Sequence, residues 1–133
     1  MRAGRLSVVF MVLVSVFFWG CAKSADPARP LEKVRKEAAS MSAGDLETNA
    51  KLYASAIRSE KAGIMKIQEQ IRKLPMDQVF NNKKMIHDIA ATGRRAEALF
   101  ERYQIYAKAF QEKGGDLSKV QIEPGQSMAG GTQ

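Results

Sequence analysis

Side chains able to do chemistry are few in this 133-residue chain: one cysteine, Cys21, one histidine, His87, and one carboxylate, Glu60, that falls among apolar residues at helical spacing. A lone cysteine cannot close an intramolecular disulfide or form a CxxC pair, so a redox role has no second thiol to work with. His87 follows the apolar Ile86 by one position, which turns it toward solvent, away from the sheltered pocket and positioned partner that acid or base catalysis needs. Met76 and Met85 would add soft donors of the kind that suit copper. Methionines on helices are ordinarily packing groups, and neither a metal nor another cofactor is expected. Glu60 would be a catalytic acid only if buried alone. Arg58, Arg94 and Arg95 lie near it in sequence or register, and a polar layer that fixes the register of two helices is the expectation.

The elements that hold these groups follow from periodicity. Pro30 suits the first turn of a helix, and Leu31, Val34, Ala38 and Met41 follow at helical spacing, predicting a short helix over residues 30–43. Gly44 should stop it and Asp45 should cap the next. From Leu46 through Ala50, Tyr53, Ile57, Glu60, Ile64, Ile67 and Ile71 to Leu74, apolar positions alternate by three and four, a heptad seam. Pro75 interrupts it. A second seam then runs from Val79 through Asn82, Ile86, Ile89, Gly93, Ala96, Phe100, Tyr103 and Ala107 to Phe110, predicting a helix over about residues 77–113. Two heptad helices with a short connection imply an all-α fold built on a long antiparallel, coiled-coil-like hairpin.

Folding about the connection pairs residues whose numbers sum to about 153, so Tyr53 should meet Phe100, and Glu60 should meet Gly93. One flank of the hairpin presents Met85, Leu99 and Tyr106 beside the small residues Ala56 and Gly63. That flank is a candidate helix-interaction face. It would accept either the chain's own first helix, making a three-helix bundle, or a second copy. Gly114-Gly115 ends the second long helix, and residues 114–133 are expected as a flexible tail.

The chain opens with Arg2 and Arg5, an apolar run from Leu6 to Trp19 broken only by two serines, and then Gly20-Cys21. This is an export-signal pattern. As a helix the run reaches only roughly 21 Å, short of the roughly 30 Å hydrocarbon core of a bilayer. Gly20-Cys21 at its end resembles the lipobox of bacterial lipoproteins, although Phe18 and Trp19 stand where leucine and a small residue are usual. The resemblance covers residues 1–21 only. It implies removal of residues 1–20, diacylglycerol on the Cys21 sulfur and residues 21–29 as a tether. It further implies attachment in the cell envelope, by sorting at the outer membrane facing the periplasm. Ordinary cleavage near Ala22 to Ala25, or an uncleaved anchor, are the alternatives the same run allows. Several acyl chains would hold firmly, whereas one alone is marginal.

Without residues 1–20 the net charge falls from +7 to +5 over one small domain. The basic residues are interspersed with acids and carry no stacking aromatics between them, so nucleic acid is not an expected partner. Arg72, Lys73, Lys83 and Lys84 flank the hairpin connection and make its tip a candidate site for an anionic cell-wall polymer. No phosphate-cradling loop, metal-ligand cluster or nucleophile with a paired base occurs in the sequence. The expected function is that of a membrane-anchored, non-enzymatic helical module that meets a protein partner or itself.

Overall fold

The computed structural model describes residues 24–122, so Cys21, the signal-like segment 1–20 and the end of the tail, 123–133, lie outside the described residues. Among the described residues, four α-helices, α1 (Leu31–Ser40), α2 (Ala43–Arg72), α3 (Met76–Asn81) and α4 (Lys83–Glu112), are followed by a 3-10 turn, Leu117–Lys119. No strand occurs among the described residues. At 30 residues each, α2 and α4 are about 45 Å long and pack against each other along their length, forming the antiparallel hairpin. Helix α1 packs on α4 and completes a three-helix arrangement at the end away from the connection.

The corner between α1 and α2 falls earlier than the sequence implies. Met41 is already extended, and Ser42 rather than Asp45 caps α2. The Ser42 hydroxyl accepts from the Asp45 amide at 3.2 Å and donates to the Asp45 carboxylate at 2.8 Å. This reciprocal pair satisfies an otherwise open amide of the first turn, an effect of about 1 kcal/mol. Gly44 therefore sits inside α2 instead of stopping α1.

The connection also departs from expectation. Helix α2 ends at Arg72, two residues before Leu74, and the single helix expected from residue 77 is two helices. They part at Asn82, whose ψ of 70° leaves the helical region and whose Oδ1 accepts from the Met85 amide at 3.1 Å. An asparagine side chain competes with the backbone for that amide and so starts a helix more readily than it continues one.

These changes shift the register. Glu60 meets Arg95, not Gly93, and Tyr53 packs against Tyr106, not Phe100, with ring centroids 5.5 Å apart. Leu99, Tyr106 and Phe110 are buried on α4, while Ile86 and Phe100 of the expected seam remain exposed. The cause is α1. Its Val34 and Ala38 are fully withdrawn from water, and a core shared by three helices gathers the α4 stripe that faces both neighbours.

Residues 25–29 and 114–122 are fastened more tightly than expected. Ala25 packs on the core, and residues 26–29 form a turn held to α2 and α4, so the slack expected through residue 29 does not extend that far. After α4, Gly114 adopts a φ of +80° and the Gly115 amide bonds the Phe110 carbonyl, reversing the chain. A Cβ on Gly115 would overlap the Phe110 ring. The reversal delivers Val120, 1 % exposed, into the core, where its carbonyl accepts from the Tyr103 hydroxyl at 2.9 Å. Residues 114–122 are thus part of the domain and not a flexible tail.

Candidate functional site

The most connected polar cluster surrounds Arg102. Two apolar neighbours at helical spacing, Leu99 and Tyr106, bring this arginine to the α1 side of α4, where it is 7 % exposed. Its Nε and Nη2 donate to the Arg29 carbonyl at 2.9 and 2.6 Å, and Nη1 donates to the Ala98 carbonyl at 2.5 Å. The Arg29 guanidinium in turn donates to the Tyr106 hydroxyl at 3.3 Å and pairs with Glu37. Tyr53 reaches the Asp26 carbonyl at 3.4 Å. Burial raises the Tyr106 phenol above its ordinary pKa. Among the described residues no buried side-chain polar atom lacks a partner, so this cluster is a closed clasp for the chain before α1.

Leu99 and Tyr106, two members of the expected helix-interaction face, are 3 % and 0 % exposed because α1 covers them. Met85, the third, lies half-buried at the other end of α4. The flank is therefore occupied by the chain itself. What stays open on α4 is a different stripe. Ile86, Gly93 and Phe100 recur every seven residues; Ile86 and Phe100 are exposed, and a Cβ placed on Gly93 would meet no neighbour within 4 Å. Phe100 stacks on Tyr103 at 6.0 Å, which fixes the top of this stripe.

Glu60 is held by a two-pronged contact, with Arg95 Nε and Nη2 each donating at 3.1 Å, and Arg95 also reaches Thr92. This pair is the polar layer that the sequence led us to expect at Glu60. His87 faces solvent, 3.9 Å from Asp88. No group of three His, Cys, Asp or Glu side chains among the described residues is placed to hold a metal.

The four basic residues of the tip are all exposed. Arg72 and Lys73 lie 4.0 and 3.4 Å from Glu69, and Lys84 donates to Asp88 at 2.6 Å, which holds the Asp88 carboxyl below its ordinary pKa. Lys83 forms no ion pair among the described residues. Charge is unevenly spread: residues 58–97 carry nine basic and five acidic side chains, the remaining described residues nine and eight. Beside these cations stand Met65 and Phe80, which the sequence reading passed over, and Met76, which it weighed only as a soft donor. Met65, Met76 and Phe80 are 67 %, 73 % and 73 % exposed. The spacing of Met76 and Phe80, one turn apart off the main seam, was the available signal.

Among the described residues no helix is long and apolar enough to cross a membrane. Compared with models of protein families, with curated proteins and with solved structures, the chain matches none.

Proposed function

We propose that this protein is an envelope lipoprotein, anchored through Cys21 at the outer membrane and facing the periplasm, that works without catalysis as a helical interaction module. The observation that carries the reading is the open stripe Ile86, Gly93 and Phe100 on α4. Apolar or small residues every seven positions along an exposed helix form one half of a coiled-coil seam. Glycine at the centre lets a second backbone approach closely. A helix of a partner protein, or of a second copy, supplies the other half.

A photo-crosslinking side chain placed at Phe100 in cells should capture one discrete partner, and Ile86→Glu should abolish the capture. The same probe at Leu99, beneath α1, should yield none. Equal capture from Phe100 and from exposed Glu112 would refute the stripe as an interface. The uneven charge supports a second reading, capture of an anionic envelope polymer by Arg72, Lys73, Lys83 and Lys84. That binding would weaken steeply with salt, whereas the apolar stripe would not.

A further inference from the structure

We infer that the hairpin tip is a second membrane contact, in which Met76 and Phe80 enter the headgroup boundary of an anionic phospholipid bilayer while Lys83, Lys84, Arg72 and Lys73 lie at its phosphates. Met76 and Phe80 are one turn apart on α3, and both are nearly three-quarters exposed. No other described part of the chain packs over either side chain. Ile86, 53 % exposed, lies just beyond them at the start of α4. A short apolar face with Arg72-Lys73 before it and Lys83-Lys84 after it in the chain, and Asp77 as the one acid among residues 72–84, fits an interfacial segment: the apolar side chains leave water and the cations meet lipid phosphate. A soluble polyanion would engage the cations and leave Met76 and Phe80 in water. A second copy would bring like charge against like charge at the same tip.

The exit of the chain fits this placement. Pro27 and Ala28 line a shallow depression with Ala91, Arg94, Arg95 and Ala98, midway along α4. The amino-terminal segment thus leaves from the middle of the long helix, not from its far end. Ala91 is only about 12 Å along the helix from Lys83, and the five residues from Asp26 back to Cys21 span up to about 17 Å. A bilayer that holds acylated Cys21 is within reach of the tip.

This inference rests on the anchored reading above, and its test separates the two. The acylated chain recovered from cell membranes, bearing Phe80→Trp and Trp19→Phe, carries a single indole whether or not residues 1–20 are removed, because Trp19 is the only native tryptophan. It is mixed with vesicles of phosphatidylcholine, with or without phosphatidylglycerol, whose acyl chains are brominated; flotation reads attachment and quenching reads the tip. The expected result is blue-shifted, quenched emission in the anionic vesicles. Removing the charge of Lys83 or Lys84 should weaken this about fivefold each. A reporter at Glu112 should stay unquenched.

Flotation without quenching at position 80 would overturn the tip contact and leave the anchor standing. Quenching without flotation at low lipid would support the tip and count against the anchor, while neither signal at high anionic lipid would overturn both. Equal quenching in neutral vesicles would overturn the role of the cations. A spectral response to polyphosphate without bromolipid quenching would replace the bilayer by an anionic polymer. A blue shift without lipid would replace it by self-association.

Discussion

Arg102 donates two hydrogen bonds to the carbonyl of Arg29, seventy-three positions earlier in the chain, and with the Arg29–Tyr106 and Tyr53–Asp26 contacts this joins the segment preceding α1 to the hairpin. A guanidinium suits the task because its fork supplies several donors in a fixed plane, one set for Arg29 and one for the Ala98 carbonyl of its own helix. The result is that residues 25–29 belong to the domain, and α1 starts from a fixed point.

Arg102→Met should keep most of the apolar stem contact yet leave the Arg29 carbonyl without its donors, whereas the Ala98 carbonyl keeps its helical amide. The expected loss is about 2–3 kcal/mol, read as a lowered urea midpoint. Arg102→Lys should recover only part of it, since an ammonium cannot reproduce the fork. Proteolysis between Ala25 and Pro30 should quicken in both variants.

Val120 tests whether the carboxy-terminal turn belongs to the core. Val120→Ala removes a buried side chain beside Tyr103 and Phe110 and should cost about 2 kcal/mol. A flexible tail would give no change in thermal midpoint. Gly115→Ala should destabilise as well, because its Cβ and the Phe110 ring compete for one space.

Alkaline pH should weaken the fold through Tyr106. Burial raises the pKa of this phenol in the folded state relative to the unfolded chain. Between those two values the folded state holds the proton that the unfolded state has lost. The stabilisation is therefore complete below about pH 10, the unfolded value, and is lost as pH rises through the folded one. Urea midpoints measured across this range should fall, and Tyr106→Phe should flatten that fall while lowering stability modestly through the lost contact with Arg29.

Glu60→Gln should leave the urea midpoint almost unchanged, because Arg95 is half exposed and such pairs are screened by solvent. Its effect should appear instead in the register. Spin labels on α2 and α4 should give one sharp distance in the native chain and a broader distribution in the variant.

The hairpin was legible because two heptad seams and a proline between them leave few other ways to bury apolar residues. The first helix and its seat against Leu99 and Tyr106 were legible for the same reason, from the stripe Leu31, Val34, Ala38. The corner was not, because Ser42 and Asp45 are both good caps and only geometry chooses between them. Asn82 kept the seam's phase and so hid a break in the helix. The link from Arg102 to Arg29 is a side chain bonding to a distant carbonyl, which leaves no periodic trace. Val120 was visible as one of three apolar residues after the glycine pair, but they show no period, so nothing in the sequence seated it in the core. Of the candidate surface, the cations of the tip were readable as a cluster, whereas the opening of Phe100 and the covering of Leu99 depend on a rotation of α4 that only the third helix imposes.

The most direct test of the anchored module is the intact mass of the chain recovered from cell membranes. A chain beginning at Cys21 and carrying acyl groups on that residue is the expected result, with Cys21→Ser losing both the acyl mass and the membrane fraction. A mature chain beginning between Ala22 and Ala25, or an unmodified Cys21 still preceded by residues 1–20, would contradict it.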